Sequence, residues 1–262
     1  RAAGLLERLD PALSATYRQS ALRAFAWGER AWAAYVASAP TGGLNGWARD
    51  ARNLAALELY RLTGDKGFHA VFLEHTVLGR EKPVLHSWGV AVQRDAAFVY
   101  ARLPEALADP LLARRAREAM VAVELVRAHA LTSDARFLAG AVRGAQYSAG
   151  ANPMHLVYTT GVGERAIENP LHCDSRATGQ RAPEGITPYG QFDLHSPMHG
   201  AASWRWPVEQ VFDVHGLVHP RLVEWPTVEG WVDMGGWAMT NEYTIHQTMG
   251  PHAYVWGYLA LR

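Results

Sequence analysis

Glu242 stands in the segment Thr240-Asn241-Glu242-Tyr243, with Trp237 five residues before it. A carboxyl desolvated between aromatic neighbours holds its proton and can donate it as a general acid. The same placement also fits a helix N-terminus, where a carboxylate gains ~0.3–1 kcal/mol from the helix dipole without doing any chemistry. Six histidines, His155, His172, His195, His199, His215 and His219, crowd into one quarter of the chain. Two pairs, His195 with His199 and His215 with His219, have the i, i+4 spacing of helical metal ligands. However, Pro197 interrupts the first pair and Pro220 follows the second, so polar lining of a cleft explains these histidines more economically than zinc. Asp193, Asp213 and Asp233 leave a structural calcium open, although no spacing supports one. The chain is therefore assigned no metal and no cofactor. Trp204 and Trp206 alternate in Ser203-Trp204-Arg205-Trp206-Pro207, and Trp225, Trp231 and Trp237 follow in the same irregular half. Such rings are less easily explained as helix core than Trp27 or Trp32, and flat aromatic faces pack well on the C–H face of a sugar.

Something must hold these groups in place. With 262 residues, 49% of them apolar and 19% charged, the chain can bury a sizeable core, which excludes disorder and fibrous repeats. Twenty-five Lys and Arg cancel 25 Asp and Glu, so no general field draws the protein onto nucleic acid. The lone Cys173 excludes an internal disulfide and a thiolate zinc cage. No apolar run reaches the ~18 residues of a membrane span, and the N-terminal residues do not read as a signal peptide. The chain opens at Arg1 directly into helical pattern, which suggests that it is part of something longer.

Up to residue 149, Ala and Leu recur at helical spacing. Asp10-Pro11 begins a helix that keeps Leu13, Tyr17, Ala21, Phe25, Trp32 and Val36 on one face as far as Pro40. Trp47 to Leu62 repeats the pattern and stops at Thr63-Gly64-Asp65, where Gly64 ends one helix and Asp65 caps the next, to about Leu78. Trp88 to Leu103, Asp109-Pro110 to Ala130, and Thr132-Ser133-Asp134 to Ser148 read as further helices, an array of antiparallel hairpins. Residues 150–240 turn rich in Gly, Pro, His and Trp, a loop too long to be idle. Leu156-Val157-Tyr158 and Arg221-Leu222-Val223 are the only strand candidates. A last helix, Asn241 to Leu261, closes the chain over 241–262. The fold class is all-α.

The motifs carry a resemblance. Gly150-Ala151-Asn152-Pro153-Met154 followed by Tyr158-Thr159-Thr160-Gly161-Val162-Gly163, then Asn169-Pro170-Leu171-His172, resembles the Gly-x-Asn-Pro-Leu, Tyr-Val-Thr-Gly-Phe-Gly and His-rich run of the family 9 glycoside hydrolases, the inverting cellulases and endoglucanases. Thr240-Asn241-Glu242 resembles that family's second signature. Ala55-Ala56-Leu57-Glu58-Leu59-Tyr60-Arg61-Leu62-Thr63-Gly64-Asp65 is similar to its Ala-Ala-x-Glu-Leu-Tyr-x-x-Thr-Gly-Asp hairpin.

The resemblance implies an (α/α)6 barrel of helical hairpins, of which this chain would supply about seven helices, the C-terminal portion of twelve. It implies hydrolysis of a β-1,4-linked glucan, a polysaccharide or oligosaccharide, with Glu242 as general acid. Inversion needs a second, ionised carboxyl about 6.5–9.5 Å away to activate water. In the family that role falls to an Asp-Ala-Gly-Asp segment near the start of the barrel, which this chain lacks, so the base and the N-terminal half of the domain are expected elsewhere. His172 matches the second His of the family's Pro-His-His-Arg, and Arg176 stands in for its displaced Arg, since a guanidinium can donate to sugar hydroxyls from a shifted loop. Trp88, in His86-Ser87-Trp88-Gly89, resembles the family's Ser-Trp-Asp with Gly in place of Asp. Trp88, Trp204, Trp206 and Trp237 are the candidate sugar-binding rings. The stretch from Thr178-Gly179-Gln180 to Tyr189-Gly190 replaces a shorter family loop. The resemblance places the protein outside the cytoplasm, secreted or periplasmic. Its alternatives are a carbohydrate-binding helical fragment without turnover and an exo-glycosidase acting on another glycan.

Overall fold

Asp10 accepts the Leu13 amide at 2.9 Å, and Pro11 opens the longest helix of the chain, α2 (Pro11–Ser38), after a short α1 (Ala2–Leu6). The computed structural model describes residues 1–38, 45–87, 91–121, 124–191 and 216–262, in two compact units, Arg1–Phe137 and Leu138–Arg262.

In the first unit, α3 (Gly46–Thr63) starts where Asn45 Oδ1 accepts the amides of Trp47 and Ala48. It stops at Gly64, whose φ of 72° is left-handed and whose N–H returns to the Tyr60 carbonyl at 2.8 Å. Asp65 at once caps α4 (Lys66–His75) through the Gly67 amide at 2.8 Å, which makes the hairpin that the Thr-Gly-Asp turn predicts. Behind it follow α5 (Arg94–Tyr100), α6 (Pro110–Val121) and α7 (Leu125–Thr132). Their faces bury Leu57, Phe72, Leu78, Tyr100 and Met120 almost completely. Phe72 and Tyr100 stack at 5.2 Å, and His69 stacks on Tyr60 at 4.5 Å. Tyr100 Oη accepts the Asp109 amide and lies 3.1 Å from His69 Nε2. Burial pushes the Tyr100 phenol up and the His69 imidazole down, so both stay neutral.

The structure departs from the sequence expectations at three places in this unit. The helix expected over Trp88 to Leu103 begins only at Arg94, as α5, because Ala91–Val92 form a strand, β2, that pairs antiparallel with β1 (His86–Ser87), His86 opposite Val92. The cause is Asp50, 2% exposed, whose Oδ2 takes the Val92 amide at 2.6 Å while its Oδ1 takes Gln93 Nε2 at 2.8 Å. Gln93 in turn accepts the Val77 amide, so the chain is held extended before the helix starts. Likewise one helix from Pro110 to Ala130 becomes two, because Glu124 adopts extended φ −141° and ψ 110°. Finally, α2 carries an apolar stripe but buries none of its 28 residues. Leu13, Tyr17, Trp27 and Val36 are exposed, and an open apolar groove of ≈ 830 Å³ runs between α2 and α3, lined by Ala21, Ala24, Phe25, Trp32, Ala51 and Ala55.

The second unit takes most of α8 (Ala135–Ser148), then α9 (Cys173–Thr178), α10 (Ala238–Asn241) and α11 (Gly250–Ala260), with long irregular segments between them. Neither strand candidate forms a strand. Val157 makes only isolated bridges to Ala149 and Ala166, and Leu222–Glu224 is a 3-10 turn. Asn152 organises the first of these segments: its side chain donates to the carbonyls of Tyr147 and Leu156 and accepts the amides of Met154 and Leu156. Four bonds saturate its amide, which explains an Asn before Pro153 in a turn. Tyr158 then packs edge-on to Trp231 at 5.3 Å, and burial, with Tyr147 beside it, pushes its phenol up to about 12.

Candidate active site

Glu242 does not begin the closing helix. The one-turn α10 ends at Asn241, Glu242 is extended at φ −65° and ψ 146°, a π-helical turn over Ile245–Met249 is capped by Thr244, and α11 starts at Gly250. A helix from Asn241 to Leu261 is therefore corrected to three pieces, with the acid at the break between the first two. Asn241 is the reason. It is fully buried, and its Nδ2 donates to the carbonyls of Val232 and Met234 at 2.7 and 3.0 Å, so its amide holds a neighbouring loop instead of capping a helix. Its own carbonyl accepts the Leu171 amide at 2.8 Å.

The main chain of Glu242 is fixed from both sides: its N–H donates to the Ala238 carbonyl at 3.1 Å and its C=O accepts the Tyr189 amide at 2.9 Å. Its side chain is exposed, and no hydrogen bond or ion pair joins the carboxylate to another described residue. The aromatic desolvation expected of its neighbours is thus absent among the described residues. Trp237 is 5% exposed and packs with Leu222, Trp225 and Met239, so its ring supports this region from beneath. A buried ring has no open face, and the expectation that Trp237 stacks on a sugar gives way to a core role.

His172 comes close to this segment. It sits immediately before α9, its Nδ1 accepts the Ser175 amide at 3.2 Å and lies 2.7 Å from Ser175 Oγ, and its ring stacks on Tyr243 at 6.4 Å. With Nδ1 accepting, Nε2 is the nitrogen left to donate. Arg176 follows at i+4, on the same side of the short helix, and is exposed. A Cβ at Gly235 would stand 3.3 Å from the Pro170 carbonyl and 3.5 Å from Arg176 Cδ, so the Gly235-Gly236 pair lets the two segments approach. His172, Arg176, Tyr243 and Glu242 thus share one neighbourhood. Trp88, Trp204, Trp206, His195, His199 and His215, with Asp193 and Asp213, lie outside the described residues. Among the described residues no cluster of three or more His, Cys, Asp or Glu could hold a metal ion.

The sequence assigns Asp233 no role beyond leaving a calcium site open. Its two carboxylate oxygens accept the amides of Glu168 and Asn169 at 2.8 and 2.9 Å, clamping the segment that leads into His172. The signal was present: an Asp between Trp231 and a Gly pair, nine residues before Glu242. Asp233→Asn keeps one acceptor and turns an N–H toward the other amide. We expect it to cost roughly 1–3 kcal/mol locally and to speed hydrogen exchange at Asn169 and Leu171. Unchanged exchange there would show that the clamp holds nothing.

No protein-family model matches the chain, and no curated protein matches it. Solved structures do. A thermostable endoglucanase from Alicyclobacillus acidocaldarius is 23% identical with a TM-score of 0.59, over 99% of this chain and 52% of its own. The family 9 endoglucanase J30 is 16% identical with a TM-score of 0.67, over 98% and 51%. A metagenome-derived family 9 endoglucanase is 20% identical with a TM-score of 0.61, over 99% and 49%. The chain has the helical fold of these proteins and spans about half of their length.

Proposed function

We infer that this chain is the acid-bearing part of an inverting glycoside hydrolase acting on β-1,4-linked glucan. Glu242 protonates the leaving oxygen, and His172 and Arg176 donate hydrogen bonds to the sugar beside it. One observation carries the reading: a carboxylate with no partner among the described residues, on a main chain fixed at both its N–H and its C=O, beside a His ring stacked on Tyr243. An acid must be free at its head and rigid at its root, because a misplaced proton donor loses much of its advantage. The fold shared with family 9 endoglucanases supports the substrate class.

The water-activating base and the remaining hairpins belong, in this reading, to a further portion of the same domain. The exposed face of α2 and its groove of ≈ 830 Å³ suit helices of that portion, since Ala21, Ala24, Ala51 and Ala55 let another helix approach closely. Residues 1–262 alone should then self-associate and leave soluble cellulose derivatives and cello-oligosaccharides uncut, while the complete protein cuts them. A general base contributes ~10²–10⁴-fold, so activity of the isolated chain at the level of the complete protein would sink the assignment. Binding of glucan by the complete protein without any turnover would instead favour a carbohydrate-binding role.

A further inference from the structure

Tyr189 is the exposed tip of a loop whose other residues are anchored. Ile186 and Thr187 are 4% and 7% exposed, whereas Tyr189 is 44% exposed. On one side the loop is tied to Thr160, which accepts the Gly185 amide with its carbonyl at 2.8 Å, donates its hydroxyl to the Pro183 carbonyl at 2.6 Å and accepts the Ile186 amide on that hydroxyl at 2.9 Å. On the other side it is tied to the acid: the Tyr189 amide donates to the Glu242 carbonyl at 2.9 Å and the Gly190 amide to the Thr240 carbonyl at 3.2 Å. The Tyr189 hydroxyl donates to Gln247 Oε1, and the Gln247 amide is itself held by Thr244 Oγ1 at 3.1 Å. The ring is therefore fixed at its root and at its polar edge.

We propose that Tyr189 is a sugar-stacking platform of this site and a determinant of its specificity for glucan. The proposal rests on the hydrolase reading above. Trp231 and Trp237, 3% and 5% exposed, are too buried to serve in this way, and the half-buried Trp225 packs against Leu222 and Trp237 and donates its Nε1–H to the Pro220 carbonyl at 2.9 Å. Tyr254 and Trp256 are exposed too, but they lie on α11, 12 and 14 residues beyond Glu242 in the sequence. Among the described residues, Tyr189 is an exposed aromatic residue whose main-chain N–H is hydrogen-bonded to the Glu242 carbonyl. Its hydroxyl is occupied by Gln247, which leaves the faces of the phenol as what it can offer. A β-linked glucose ring has all its hydroxyls equatorial and presents an apolar face of axial C–H groups, the complement of a flat ring. A sugar with an axial hydroxyl breaks that face. A platform ordered before the ligand arrives also spares the entropy of fixing it on binding.

The test uses the complete protein carrying Glu242→Gln, so that cellotetraose binding is read calorimetrically without turnover, beside steady-state kinetics in the Glu242 background. Stacking of this kind is worth about 0.5–1.5 kcal/mol, a factor of roughly 2–13 in affinity. Tyr189→Ala and Tyr189→Leu, the second keeping apolar bulk and loop packing, should both weaken cellotetraose binding by that factor and raise KM more than they lower kcat. Tyr189→Phe should restore the affinity lost in both. If Phe is as weak as Ala, the hydroxyl bond to Gln247 is what matters and the platform is overturned, as it is if Ala and Leu bind like the parent. No cellotetraose binding by the parent overturns this proposal and the hydrolase reading together. Binding that depends on Tyr189 in a protein that never turns substrate over overturns the hydrolase reading alone.

Discussion

Glu242→Gln in the complete protein should lower turnover of cello-oligosaccharides by ~10²–10⁴-fold while their binding stays close to normal. The amide keeps the shape of the side chain and the fixed main chain around it, since both backbone bonds of Glu242 are independent of its head group. It removes only the transferable proton. Aryl glycosides with activated leaving groups should lose far less, because their leaving oxygen departs without protonation. Comparing the two substrate types in one variant separates chemistry from folding. An equal loss on both would return Glu242 to a structural role.

Phe72→Ala should destabilise the first unit by about 3–5 kcal/mol. The ring has no exposed surface, stacks on Tyr100, and sits in the face where α3, α4, α5 and α6 meet. Its removal leaves a cavity that Leu57, Leu78 and Met120 cannot close without leaving their own packing. Chemical denaturation of the chain, followed by far-ultraviolet dichroism, measures the loss. A shift under 1 kcal/mol would mean that this core collapses around the gap.

Much of the hairpin array is legible because its signals are local. Asp10-Pro11, Asn45 and Thr63-Gly64-Asp65 cap or end helices through partners two to four residues away, and those helices form where the pattern puts them. The failures have long-range causes. Nothing in the sequence near Val92 announces that Asp50, 42 residues upstream, will take its amide and hold it in a strand. Thr240-Asn241 reads as a cap because Asn usually caps, yet this Asn spends its amide on Val232 and Met234. The same division applies to the site. Motif and spacing single out Glu242, His172 and Arg176, which the structure brings into one neighbourhood, while Trp237 is buried by a loop packed against it that its own sequence neighbourhood does not announce. Asp233 and Tyr189 act through backbone bonds that composition does not reveal.

The loop over 183–190 is suspended between two fixed points, Thr160 at one end and the Thr240–Glu242 segment at the other. Just before it, residues 177–181 are exposed, and beyond a one-turn C-cap they give little to either anchor. Such an arrangement separates tolerance from constraint. Recomposing 177–180 leaves both anchors, and the main chain of Glu242 that one of them holds, in place, so that stretch can vary at little cost to folding. For an engineer the same partition marks where a library should be placed: diversity between Ala177 and Gln180, with Thr160, Gly190 and Asn241 left untouched, and Arg181 too, whose carbonyl accepts the Ser175 hydroxyl beside His172.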